Sequence, residues 1–186
     1  MAHSHSHDRD HRGHSHDGHD HDGSTPVFAE PGHDHSHCSS TVLARAESLS
    51  AERGVRLTQI RRQVLEALAA THQPIGAYEL IEKLEDAEGK RPAPITVYRA
   101  LDFLLEQGFA HRIESRNAFI ACAHDHKDGS VVMFLICESC GTVGEAESEA
   151  VGKALTAAAG AIGFQPRGQV IELAGICRHC RAKAQG

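Results

Sequence analysis

No stretch of the 186-residue chain holds the roughly 18 consecutive apolar residues that a membrane-crossing helix needs. Nor does an apolar run follow a basic start: behind Met1, histidine alternates with small polar residues, so no secretory signal peptide is expected. The reading is of a soluble, cytoplasmic protein with no membrane partner. Positive charge is also scarce. Lys and Arg number 19 against 25 Asp and Glu, for a net charge of -6 with histidine neutral, which at first disfavours nucleic acid as a partner. The distribution removes that objection. Residues 1–41 hold seven acids and two arginines, while residues 42–122 balance eleven basic against eleven acidic groups, leaving room for a local basic face.

What the chain has in excess is histidine. Of 16 in all, 11 fall within the first 37 residues, in His-x-His repeats at 3, 5, 7, then 14, 16, then 19, 21, then 33, 35, 37. With almost nothing apolar to bury, a segment of this composition cannot offset its ordering entropy. Residues 1–41 are therefore expected to be a disordered tail whose imidazoles, helped by interspersed aspartates, bind additional metal ions.

Beyond Thr41 the pattern turns helical. Val42, Leu43, Ala46 and Leu49 suggest a first amphipathic helix, broken near Gly54. Thr58 is a suitable N-cap for a second, carrying Ile60, Val64, Leu65, Leu68 and Ala69. Ala77, Leu80, Ile81 and Leu84 form a short third, capped by Gly76. Pro94 opens a fourth with Val97, Leu101, Leu104 and Leu105 inward, and Gly108 stops it. Phe109–Glu114 and Ala118–Cys122 then read as a hairpin. Helices followed by such a hairpin make a winged helix-turn-helix, in which the last helix would read DNA through Thr96, Tyr98 and Arg99, beside Asp102. This domain and its hinge are assigned to residues 42–125.

Residues 126–186 read as a small α/β unit: strands at Val131–Ile136, Thr142–Ala146 and Val170–Ile176, with a helix over Glu147–Ile162. The whole is thus α+β. About 60 residues make a marginal core, so a metal staple and dimerisation are both expected. Cys137 with Cys140 and Cys177 with Cys180 form two C-x-x-C pairs, whose thiolates can close a tetrahedral Zn(Cys)4 site with Gly141 easing the first turn. A thioredoxin-like redox role is minor, because neither pair opens a helix after a strand in a βαβ pattern. A second constellation gathers His111, Cys122, His124 and His126 at the boundary, a nitrogen, sulfur and oxygen donor region suited to Zn(II).

The run Thr96-Val97-Tyr98-Arg99-Ala100-Leu101-Asp102-Phe103-Leu104-Leu105-Glu106-Gln107-Gly108-Phe109, with Arg56-Leu57-Thr58 upstream and both C-x-x-C pairs downstream, resembles the ferric uptake regulator (Fur) family. Within it, the zinc-uptake-regulator branch is most similar. The resemblance spans about residues 42–182 and excludes the tail. It implies a homodimeric, metal-responsive repressor binding palindromic double-stranded operator DNA, with one structural and at least one regulatory Zn(II) per subunit. Cys137, Cys140, Cys177 and Cys180 match the structural ligands. His111, Cys122 and Glu145 match the sensing site, with His126 as fourth ligand and His124 as the alternative. Tyr98, Arg99 and Tyr78 match DNA-contacting positions.

The resulting expectation is a zinc-responsive repressor of zinc-uptake genes. Rival readings are a Fur-family regulator of iron, nickel or manganese, and a zinc storage or delivery protein working through the tail. A zinc hydrolase is disfavoured, because no three-ligand site with an open position and a nearby general base is evident.

Overall fold

The computed structural model describes residues 27–28, 34–85, 89–124 and 131–184. Four helices come first: α1 (Ser36–Glu52), α2 (Gln59–Ala69), α3 (Ala77–Lys83) and α4 (Pro94–Glu106). Three- and four-residue apolar spacing turns Val64, Leu65 and Leu68 of α2, Leu80 of α3 and Val97, Leu101 and Leu104 of α4 into one interior closed to solvent. Pro94 occupies the first turn of α4 as expected, where its missing N–H costs nothing. Gly108 ends that helix at φ +68°, the left-handed geometry that glycine adopts without strain, and the Phe109 N–H closes the turn on the Leu104 carbonyl at 2.8 Å.

The first helix begins at Ser36, earlier than the expected start near Thr41. Its opening turn has no apolar periodicity and is held by polar contacts instead. The Asp34 carboxylate accepts the Ser36 N–H at 2.9 Å, and the Ser39 hydroxyl donates to the Ala69 carbonyl at the end of α2 at 3.0 Å. The end of the expected tail is therefore helical from Ser36 onward. Residues 1–26 and 29–33 lie outside the described residues.

A hairpin follows, with β1 (Ala110–Ile113) and β2 (Ala118–Ala121) antiparallel and His111 opposite Ile120. A 3-10 turn over Glu114–Arg116 and a left-handed Asn117 (φ +45°) join the strands. The hairpin serves two interiors. Phe109, Ala110 and Phe119 complete the helical core, whereas Ile113 and Ile120 pack with Phe134, Ile136 and Val143 of the second unit.

That unit is a three-stranded sheet of β3 (Val131–Cys137), β4 (Val143–Ser148) and β5 (Ile171–Gly175), in the order β4-β3-β5. The β3–β4 pair is antiparallel and β3–β5 parallel, the return being made through α5 (Glu149–Ala161). The Ser148 hydroxyl caps α5 by accepting the Val151 N–H at 3.3 Å. A short α6 (Arg178–Ala184) closes the chain. The α+β class, with a winged helix-turn-helix ahead of a small α/β unit, is as the sequence led us to expect. Among the described residues no helix is long and apolar enough to cross a membrane.

Candidate metal centres

Cys137, Cys140, Cys177 and Cys180 bring their sulfurs within 4.8 Å of one another. Cys137 ends β3, and its carbonyl accepts the Gly141 N–H at 2.9 Å, which folds Cys140 back beside it. Gly141 allows that knuckle because it sits at φ +75°. The partner pair arrives on the parallel neighbour, Cys177 following β5 and Cys180 in the first turn of α6. Cys177-x-x-Cys180 opens α6 directly after β5, but no strand follows α6 among the described residues, so the βαβ setting of a dithiol redox motif is absent and all four thiols converge instead.

The donor set fits zinc. Tetrahedral zinc with bonds of about 2.3 Å puts sulfurs roughly 3.8 Å apart, and Cys140 Sγ lies 3.9 Å from Cys177 Sγ. Burial works against a Cys137 thiolate, but N–H groups of Cys177, Cys140 and Ser139 outweigh it and hold the thiol down to about 6. Cys180 moves the other way: a hydrogen bond from Ser139 favours its anion, yet Cys177, burial, Cys140 and Cys137 together push it up to about 11. Thiols this close do not all ionise unless a cation sits among them.

The second centre spans the two units. His111 projects from β1, Cys122 follows β2, and Glu145 projects from β4; one ligand atom of each lies within 4.8 Å of the others. His111 Nε2 is 3.2 Å from Glu145 Oε1, and Cys122 Sγ is 4.0 Å from the same oxygen. Cys122 is fully buried and the Glu145 side chain is only 8 % exposed. The Cys122 N–H donates to the Phe109 carbonyl at 3.0 Å, which fixes the thiol beside the hairpin. The His111 ring packs against Phe134 at 5.1 Å. His124 Nδ1 approaches Glu145 Oε2 at 3.8 Å, with its side chain 44 % exposed. His126 lies outside the described residues. A buried thiol, an imidazole and a carboxylate form a mixed set that suits Zn(II) better than harder cations.

The residues expected to meet DNA are exposed. Thr96, Tyr98 and Arg99 are exposed on α4, with Val97 and Ala100 between and behind them in the core. Tyr78, on α3, is 77 % exposed.

Three groups that sequence reading did not single out tie the units together. The Val143 N–H donates to the His72 carbonyl at 2.9 Å, and Gln73 Nε2 donates to the Cys140 carbonyl at 2.7 Å, so the α2–α3 loop rests on the cysteine knuckle. At the opposite edge of the sheet, on β5, the Glu172 carboxylate accepts the N–H groups of Glu114 at 2.6 Å and Ser115 at 3.1 Å. Burial raises the Glu172 carboxyl, but these donors, with the Ser115 hydroxyl, leave it below its ordinary range. Contacts between distant segments leave no periodic signal in a single sequence.

The family model described as "Ferric uptake regulator family" matches residues 52–174. The zinc uptake regulation protein of Escherichia coli (strain K12) is 44% identical over 140 residues, covering 75% of this chain and 81% of the relative. The Shigella flexneri protein of the same name matches equally. Among solved structures, a zinc uptake regulator complexed with zinc and DNA superposes with a TM-score of 0.72 at 39% identity, covering 80% of this chain and 98% of that one. The crystal structure of holo XcZur gives 0.69 at 45% identity, with 77% and 99% covered. With residues 52–174 matched by the family model and a relative 44% identical over 140 residues, the chain belongs to the ferric uptake regulator family.

Proposed function

We propose that this chain is a zinc-responsive transcriptional repressor that binds palindromic operator DNA as a zinc-loaded homodimer and controls zinc-uptake genes. It is a regulator and not an enzyme. The observation that carries the reading is the convergence of His111 and Cys122 from the hairpin with Glu145 from β4. This centre has ligands on both units, so its occupancy can set how the reading helix is held. The buried Cys122 thiol favours zinc over iron(II) or manganese, which prefer harder donors. The similar proteins are zinc uptake regulators, one of them solved with zinc and DNA.

When bound, zinc supplies a bond between the hairpin and β4 at this centre, and a staple between β3 and the β5–α6 junction at the four cysteines. His111, Cys122 and Glu145 are the regulatory ligands, with His124 or His126 as the fourth. Cys137, Cys140, Cys177 and Cys180 are structural. The rest of the work belongs to protein groups. Ile113 and Ile120 seat the wing on Phe134, Ile136 and Val143. Thr96, Tyr98 and Arg99 on α4, with Tyr78 on α3, face the duplex and supply hydroxyl, aromatic and guanidinium contacts. The second unit supplies the dimer contact through its apolar exposure at Leu155, Ile162, Phe164, Val170, Leu173 and Ile176. Two such units present paired reading helices to a palindrome. Switching from almost all open to almost all closed needs about 5.5 kcal/mol of differential affinity, which a three- or four-ligand site can supply. The tail, rich in imidazole, buffers further metal ions, and the protein works in the cytoplasm.

Cys122→Ser tests the reading. The wild-type chain selects an operator from random-sequence duplexes at saturating zinc, and binding to it is then titrated against buffered free zinc. The variant is expected to lose the zinc response while retaining one tightly held zinc at the four cysteines. An unchanged zinc response would sink the sensing assignment.

A further inference from the structure

One rung of the sheet holds more than the metal centre. In β3, Phe134 pairs with Glu145 of β4 on one side and with Glu172 of β5 on the other, so the three side chains share one face of the sheet. The hairpin lies across that face. At one end His111 and Cys122 meet Glu145. In the middle, Ile113 and Ile120 pack on Phe134. At the other end, Glu172 receives the N–H groups of Glu114 and Ser115, the first two residues of the 3-10 turn that makes the wing tip. Groups at the start of a helical turn have no partner within the turn, and a carboxylate placed before them is a strong acceptor.

We propose that Glu172 is a positioning residue for zinc-dependent DNA binding, clamping the wing tip so that the hairpin is held in the pose at which His111 and Cys122 reach Glu145. The inference rests on the sensing role proposed above. Glu172 belongs to neither metal-ligand group and spends its carboxylate on the wing-tip N–H groups, so it acts through the population of the seated wing. That predicts a specific signature. A ligand that selects a pose binds more weakly in proportion as the pose becomes rarer, but at saturation it restores the pose.

The test uses the full-length zinc-loaded dimer and the selected operator duplex. Glu172→Ala is expected to raise the free zinc needed for half-maximal operator binding about tenfold, equivalent to about 1.4 kcal/mol, while DNA affinity at saturating zinc stays within twofold of wild type. Glu172→Gln, which keeps an acceptor without the charge, should shift the midpoint by only about two- to fourfold. Independently of DNA, amide exchange at Glu114 and Ser115 should accelerate in the alanine variant. An unchanged zinc midpoint, or a loss of DNA affinity that persists at saturating zinc, would overturn the clamp. Cys122→Ser in parallel separates the two failures. If it keeps the wild-type zinc response, the sensing role and the clamp fall together; if it loses the response while Glu172→Ala keeps the wild-type midpoint, the clamp alone falls.

Discussion

The helical unit and the sheet unit reach order by different means. In the first, residues from four helices and the inner face of the hairpin close one large apolar interior, with Val64, Leu65, Leu68, Leu80, Val97 and Leu104 fully shielded. In the second, the buried cluster is Phe134, Ile136 and Val143 together with Ile113 and Ile120, which the hairpin lends to it. Helix α5 buries little beyond Gly152, and six large apolar side chains between Leu155 and Ile176 remain exposed. A unit so poor in interior needs cross-links and a covering surface. Under the proposed function, zinc at the four cysteines provides the first and another copy of the chain the second. On that reading the helical unit stands on apolar packing alone, whereas the sheet unit takes part of its stability from metal.

Removing the cysteine centre is the strongest way to break this contrast. Structural zinc sites of this kind carry roughly 10–16 kcal/mol of apparent binding free energy. Cys137→Ser, or exhaustive chelation, is expected to abolish amide-exchange protection across β3, β4 and β5 while α2 and α4 keep theirs. Simultaneous loss in both regions would mean that they fold as one cooperative unit and that the contrast is false. The converse perturbation is smaller. Leu68→Ala deletes a fully buried side chain and should cost the helical unit about 2–5 kcal/mol. Thermal unfolding would register this as an earlier helical transition with undiminished zinc content. Smallest is Leu173→Glu, on the edge strand β5, at a side chain 52 % exposed in the single chain. Sedimentation should show self-association weakened at least tenfold, about 1.4 kcal/mol, with the helical melting transition unmoved.

The same division governed what could be read in the sequence. The helices of the first unit were legible because each carries an apolar stripe at helical spacing and because Gly54, Gly76, Pro94 and Gly108 mark their ends. The cysteine pairs were legible because their spacing is local. The start of α1 was not, since Asp34, Ser36 and Ser39 hold it through polar contacts that have no period. The opening turn of α6 was missed for a related reason: Cys177, Arg178 and His179 offer no apolar face, and the helix is set by the knuckle. At the second centre, His111 and Cys122 could be brought together by hairpin pairing, but Glu145 came from the family resemblance, because the approach of β4 to the wing is a tertiary event. Glu172, Gln73 and the His72 carbonyl act across the units and had no local signal at all.

The two-faced hairpin also limits how the molecule can be dissected. A fragment cut after residue 124 would retain the whole helical interior yet leave Ile113 and Ile120 facing water, a new apolar strip on the very element that borders α4. At roughly 25 cal/mol per Å² of apolar surface, such a strip is costly enough to drive self-association or to perturb the wing. The covalent boundary between the units and their mechanical boundary are therefore different places: the chain crosses after Cys122, but the surface of separation runs through the middle of the wing, between the residues that face Phe119 and those that face Phe134.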